Sequence, residues 1–261
     1  MDKIKFGISI SSYSSQNTPK QRFLIIKRCL DSINNLVYTK YKNIYINVCL
    51  DTGLENHHQL LNEYPFHIIK NKKNMGISYT KNVGIKSILG QGCKYGFLLD
   101  DDVVIKNGII FSKYIEAMEK TGYGHFSYLL HKNNHNYMKK CNKIIVNNHE
   151  ILETPNVNGL LLTFSKEGID KSGYFDILPY KYGHEHSKFS VKSIHHKVSP
   201  GFCDILPEEE DYLEEEWVSE NSTVRGTSEF SETKFNHNAT MIMENNDKKV
   251  FFEIDKEITD L

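Results

Sequence analysis

The stretch Tyr95-Gly-Phe-Leu-Leu-Asp-Asp-Asp-Val-Val-Ile105 decides how this chain is read. Phe97-Leu98-Leu99 is an apolar run of the kind that fills a strand buried on both faces. It ends abruptly in Asp100, Asp101 and Asp102, then turns apolar again at Val103-Val104-Ile105. Three carboxylates at the end of a buried strand repel one another unless something cancels their charge. A hard divalent cation with oxygen ligands does so, and magnesium in particular is shared between carboxylates and substrate phosphates. A solvated acidic turn is the plainer alternative, but such a turn rarely interrupts two core runs so closely. In an open α/β sheet, ligands bind at the carboxyl ends of the strands.

Working outward from that strand, the preceding hundred residues alternate between the two kinds of element. Residues 4–13 read as a first strand that ends in Ser11-Ser12-Tyr13. Ser14 to Lys20 reads as loop or helix start. Ile26, Leu30, Ile33 and Val37 recur at helical spacing and predict an amphipathic helix over about 19–36. Ile44 to Leu50 is a second strand closed by Asp51-Thr52-Gly53. A short helix over 57–64 and a third strand over 66–69 follow. Asn71 to Ser78 is a polar loop whose Gly76 permits a tight turn, with Ser78 as helix cap and helix over 79–89. Such alternation predicts a doubly wound, mostly parallel sheet flanked by helices.

Beyond the aspartates, the pattern predicts a helix over 107–120 and a strand over 123–130. A polar surface loop or flap over 131–142 follows, then strands at 144–146 and 160–164 and a short helix over 166–173 that closes near Gly173. Tyr182 to Ile194 places Glu185, Phe189 and Lys192 on one helical face. After about residue 200 the composition changes. Pro207-Glu-Glu-Glu-Asp211 and Glu214-Glu-Glu216 are acidic, the usual mark of a solvated face, and Asn221 to Thr240 is rich in Ser, Thr and Asn. Met241–Glu244 and Val250–Ile254 read as a late strand pair or a partly ordered tail. There are no internal repeats.

The 261 residues carry a net charge of −1, so no basic excess points to nucleic acid or a membrane surface. A chain of this length buries roughly 70–75% of its unfolded surface, in one large domain or two small ones. The five cysteines (Cys29, Cys49, Cys93, Cys141, Cys203) are scattered without a CxxC pair, which suits free thiols in a reducing, cytoplasmic setting. Met1 to Ile10 lacks the features of a signal peptide, and no apolar run approaches the roughly 18 residues of a membrane span. Dinucleotide binding is excluded because Gly90-Gln-Gly92-Cys-Lys-Tyr95 lacks the third glycine and precedes a strand. No zinc-type Cys/His spacing and no nucleophile elbow appear.

Four features fall at successive strand ends: Ser12-Tyr13, Asp51, the segment from Asn74 to Asn82, and the aspartate triplet. Together they resemble the family 2 glycosyltransferases of GT-A fold. The first strand of that family ends in a Thr/Ser-Tyr pair, here Ser12-Tyr13, and its first helix has a segment like Cys29-Leu-Asp-Ser-Ile33. Its Asn-x-Gly-x-x-x-x-Arg-Asn-x-Gly segment is Asn74-Met-Gly76-Ile-Ser-Tyr-Thr-Lys81-Asn82-Val-Gly84, with lysine in the arginine slot, and its Leu-Asp-x-Asp signature is Leu99-Asp100-Asp101-Asp102. The match is good over about 4–105 and loose over 155–195.

The resemblance implies a catalytic domain over 1–200. Its nucleotide-sugar half would be about 1–105 and its acceptor half about 106–200, with 201–261 as an acidic and polar C-terminal extension. It also implies a metal-dependent, inverting transfer of a hexosyl-type sugar from a UDP-type donor to a glycan or other hydroxyl acceptor, with Mn2+ or Mg2+. Donor contacts would come from Ser12, Tyr13, Asp51 (on the uracil), Asn74, Gly76, Lys81, Asn82, Asp100 and Asp101. A metal bridging the diphosphate to Asp102, with Asp100 on the ribose or metal waters, neutralises charge as the bond breaks, and Lys81 adds a cation near a helix start. A C-terminal histidine often completes such a metal site; His195, His196 and His237 are candidates and His196 is taken. The base that accepts the acceptor proton falls in Gly183-His184-Glu185-His186, where histidine replaces the second acid. Glu185 is favoured over His186. Phe175-Asp176, Tyr180 and Tyr182 suit the acceptor entrance. Two further readings stand beside this one. A nucleotidyltransferase lacks support because no glycine-rich loop follows strand one. A catalytically decayed nucleotide-sugar-binding module is favoured by His186.

Overall fold

The computed structural model describes residues 5–14, 20–52, 55–129, 135–206, 212–215, 246–254 and 258–260. Strand β1 (Phe6–Ser12) is buried at all seven positions, as a strand covered on both faces must be. Helix α1 (Lys20–Ile33) runs into a π-helical turn over Asn34–Tyr38. Then come β2 (Ile44–Asp51), α2 (Glu55–Leu61), β3 (His67–Asn71), α3 (Ile77–Gly90) and β4 (Tyr95–Asp100). These β strands pair in parallel in the order β3-β2-β1-β4, so the chain direction across the sheet reverses at β1. The strand ends Ser12, Asp51, Asn71 and Asp100 therefore share one edge, at the switch point where α/β sheets bind ligands.

Helix α3 lies directly on this sheet because Gly84 has no side chain. A Cβ there would stand 2.7 Å from the Ser9 Cβ, closer than carbon atoms approach. The helix begins two residues earlier than its sequence suggests. Its N-cap is Gly76, at φ 92°, and Ser78 lies inside the first turn. The left-handed backbone that only glycine adopts without strain sets the start, and the Ile77 amide is satisfied by the Lys181 carbonyl at 2.9 Å.

The second half departs from the parallel pattern. β5 (Val103–Ile105), α4 (Ile110–Thr121) and a short helix α5 (His135–Met138) are followed by the hairpin β6 (Asn142–Val146) and β7 (His149–Glu153). β8 (Leu161–Ser165) returns antiparallel to β4, then α6 (Lys166–Ser172), capped by the Ser165 side chain, and α7 (Glu185–His195). The region expected as flap thus contains α5, and the second strand of the hairpin was not foreseen.

The expected strand over 123–130 does not form across the described residues 123–129, which make one isolated bridge, Ser127 to Leu162. Side chains take two of the amides a ladder would use. Phe126 N donates to Thr163 Oγ1 at 2.8 Å and Leu129 N to Asp204 Oδ2 at 2.8 Å.

After residue 200, three short strands return to earlier ones. β9 (Cys203–Ile205) joins β7, β10 (Leu213–Glu215) joins β5, and β11 (Ile258–Asp260) runs antiparallel to β3 at the sheet edge. Of the expected late strand pair, Met241–Glu244 lies outside the described residues, and 251–254 are irregular. Val250 makes a single bridge to Gly173, while Phe252 packs edge-on to Tyr79 at 5.0 Å. Those contacts hold the segment without a ladder.

Candidate active site

Lys81 lies at the centre of the sheet rim. It sits on the second turn of α3 and is fully buried, with Nζ 3.0 Å from Glu185 Oε1 and 3.2 Å from Asp100 Oδ1. A buried ammonium persists only when paired, and here two carboxylates from different elements pair it. Burial opposes its charge, but Asp100 and Glu185 more than offset this and raise its pKa. Lys81 therefore joins the aspartate strand end to the first residue of α7 and does not present an open cation.

The two carboxylates respond in opposite directions. Glu185 is 5% exposed. Burial works against its charge, yet Lys81 and the neighbouring His186 outweigh it, and the carboxyl is held well below the usual range. Asp100, with its side chain 34% exposed, is raised by burial and by the charges of Asp102 and Glu185, despite Lys81.

Asp101, in the middle of the triplet, turns inward. It accepts hydrogen bonds from the Ser12 hydroxyl and the Arg22 guanidinium. Ser12 Oγ also lies 3.2 Å from His57 Nε2, and His57 Nδ1 lies 2.8 Å from Ser14 Oγ. Burial pushes the His57 pKa down to about 3, so the imidazole is neutral. Arg22 reaches Asp102 as well, at 3.5 Å. Neither Arg22 nor His57 was singled out from the sequence. The available signal for Arg22 is its spacing, one turn ahead of Ile26 on the buried face of α1.

Asp51 holds the turn before α3. Its Oδ1 accepts from Asn71 Nδ2 at 3.0 Å and Met75 N at 2.7 Å, and its Oδ2 from Gly76 N at 2.7 Å. One acceptor position on Oδ2 is left. Burial raises its pKa in spite of these donors. Asn82, expected among the donor contacts, spends its amide on the backbone of Phe175, donating at 3.0 Å and accepting at 2.8 Å. It fastens the 174–184 loop to α3. Tyr13 and Asn74 are half-buried beside the same edge.

Asp100 and Asp102 are the residues suited to a divalent cation. Asp100 Oδ1 is enclosed and faces the Lys81 ammonium at 3.2 Å. Among the described residues no group of three His, Cys, Asp or Glu side chains could hold a metal by itself. Two carboxylates fit a magnesium- or manganese-like ion that completes its oxygen shell with water and substrate phosphates. His196 does not join them. It caps the far end of α7 from Glu185, roughly 16 Å along an eleven-residue helix. His195 lies at that same end, and His237 is outside the described residues.

His186, the residue in the acid slot, has its side chain 27% exposed, and its Nδ1 lies 3.6 Å from Glu185 Oε1. Backbone packs against the ring at Gly159, where a Cβ would stand 3.0 Å from Nδ1.

Comparison with known proteins bears on the family and the fold. The family model described as glycosyl transferase family 2 matches residues 20–161. An uncharacterised glycosyltransferase of Acanthamoeba polyphaga mimivirus is 33% identical over 207 residues, 77% of this chain and 78% of that one. Two solved structures share the fold at low identity. TarS 1–349 of S. aureus in complex with UDP-GlcNAc has a TM-score of 0.61 at 14% identity, covering 92% of this chain and 65% of that one. The mannosyltransferase PcManGT of Pyrobaculum calidifontis, in complex with GDP-Man and Mn2+, has 0.55 at 13%, covering 80% and 56%. The chain thus spans less than two thirds of each of these solved neighbours. Its mixed, mostly parallel sheet is that of the GT-A glycosyltransferases, and the chain belongs to glycosyl transferase family 2.

Proposed function

We propose that this chain transfers a sugar, with inversion, from a nucleoside-diphosphate donor of UDP type to a hydroxyl acceptor. The observation that carries the reading is the meeting of Asp51, Lys81, Asp100, Asp102 and Glu185 along one sheet rim, drawn from β2, α3, β4, the turn after β4 and α7. The TarS and PcManGT structures hold UDP-GlcNAc and GDP-Man with Mn2+ on the same fold, which supports a nucleotide-sugar donor and a divalent ion. In this reading Asp51 uses its remaining lone pair on the base, Tyr13 flanks it, and Asp100 and Asp102 hold Mn2+ or Mg2+. The ion, when bound, stabilises charge on the diphosphate as it leaves. Lys81 acts behind the site by fixing Asp100 and Glu185, and Arg22 orients Asp102. The base is supplied from Glu185-His186. All five cysteines are free thiols, which fits a cytoplasmic setting, and no described helix is long and apolar enough to cross a membrane.

A thermal-shift panel of UDP-, GDP- and CDP-sugars with and without manganese tests the donor, because a ligand of the folded state raises the melting temperature. Asp102→Ala is expected to lower sugar-nucleotide turnover by about 1,000-fold, roughly 4 kcal/mol of transition-state stabilisation, with its circular dichroism unchanged. Full activity in that variant would reject the assignment. His186 in the acid slot favours one rival, a binding module without turnover. Calorimetry that records donor uptake with manganese, alongside no product, would select the rival.

A further inference from the structure

We infer that His186 is the catalytic base and that Glu185, the acid of the pair, is its positioning residue. This rests on the transferase reading above. The geometry divides the work. Glu185 is buried and bound to Lys81 at 3.0 Å, which stabilises its ionised form. A carboxylate so strongly stabilised is a poor proton acceptor, since basicity falls with pKa. His186 is more exposed and lies one residue along, with Nδ1 facing Glu185 Oε1 at 3.6 Å. In this reading the ring proton sits on Nδ1, toward Glu185, and the Nε2 lone pair is the one that accepts. The distance is long for a hydrogen bond, as such pairs often are before substrate binds.

Gly159, in the segment before β8, packs against the ring. Any side chain at 159 meets the imidazole, 3.0 Å from Nδ1 and 3.2 Å from Cγ. Among the described residues, Glu185 on its own helix is the charged group that faces His186, with Lys81 of α3 and Asp100 of β4 behind that carboxylate. The segment packed against the ring presents only the uncharged Gly159. The chain Asp100–Lys81–Glu185–His186 thus links the donor side of the rim to the acceptor side through four side chains.

In the step itself, Nε2 takes the proton of the acceptor hydroxyl as that oxygen bonds to the anomeric carbon. The bond from that carbon to the diphosphate oxygen breaks, and its electron pair leaves on the nucleoside diphosphate. The imidazolium then returns its proton to water. With water as acceptor, the same step is donor hydrolysis, which needs no knowledge of the natural acceptor.

The test uses the full chain with UDP-GlcNAc and GDP-mannose, each with Mn2+. Binding is measured by calorimetry and hydrolysis across pH 4–9. His186→Ala is expected to lower kcat by about 100- to 10,000-fold with donor affinity within threefold of wild type. His186→Asp recovers part of the rate and moves the acid limb of the profile to lower pH, because a carboxylate is less basic than an imidazole. Glu185→Gln lowers kcat less than His186→Ala and moves the acid limb less than His186→Asp. If His186→Ala fails to fold, His186→Asp alone carries the comparison. Full rate in His186→Ala, or an unmoved acid limb in His186→Asp, overturns the inference and leaves the transferase reading intact. Wild-type chain that binds donor without hydrolysing it removes the base altogether. Wild-type chain that binds neither donor overturns the transferase reading first.

Discussion

Asp100 and Glu185 contact the same ammonium, 3.2 Å and 3.0 Å from Lys81 Nζ, yet their carboxyls are driven apart. Asp100 is raised, because burial and the charges of Asp102 and Glu185 crowd it. Glu185 is the more buried of the two but has Lys81 and His186 as neighbours, and it is lowered. One shared cation therefore cannot decide how basic its partners are; the remaining neighbours do. The rim of the sheet collects negative charge and is left short of cations, which suits an incoming ion. The first turn of α7 is already balanced.

The largest effect that would break this contrast is removal of the shared cation. Lys81→Met leaves Glu185 buried without a counter-charge and is expected to cost about 3–5 kcal/mol of stability, read as a shift in the urea midpoint. A loss under 1 kcal/mol would mean that Glu185 is not held by Lys81. Neutralising each acid in turn sharpens the comparison. Asp100→Asn relieves crowding, and Glu185→Gln discards a strong pair, so the second is expected to cost about 1–3 kcal/mol more than the first. Equal costs would erase the difference between the two regions.

The supports behind each side give smaller effects. Gly84→Ala pushes a methyl group into Ser9 of β1 and lifts the helix that carries Lys81, for about 1–3 kcal/mol. On the other side, His125 steadies α7, with Nε2 2.7 Å from Ser190 Oγ and its ring edge-on to Phe189. Burial pushes its pKa down to about 4, so the folded imidazole is neutral. The unfolded chain binds that proton first on acidification, near 6.5. Stability contributed by the neutral ring is present above pH 6.5 and declines toward pH 4, by at most about 1.4 kcal/mol per pH unit. Urea midpoints at pH 7 and pH 5 check this, with His125→Gln expected to show the shallower slope.

Much of the first half was legible in the sequence because buried parallel strands write continuous apolar runs and end in polar residues at one edge. Phe97-Leu98-Leu99 before the aspartates, and Asp51 at the end of β2, declare both the strand and its terminus. The second half was less readable for specific reasons. Phe126 and Leu129 look like strand residues, but their amides are claimed by Thr163 and Asp204 from distant segments. The site shows the same division. The position of Lys81 followed from its motif; its burial and its partner Glu185, 104 residues away, depend on tertiary packing. Asn82 illustrates a residue in the expected place with its amide already occupied by the Phe175 backbone. His196 was chosen by residue type alone, and the length of α7 separates it from the aspartates.

The pairing of β11 with β3 bears on how the protein is made. Asn71 of β3 faces Ile258 of β11, so while a ribosome is still reading the middle of the message, that sheet margin has its open backbone groups in water. An unprotected margin of this kind recruits other chains, and long-range pairings form late. Shortening the coding region upstream of residue 258 is therefore expected to yield aggregated product even where every rim residue is retained.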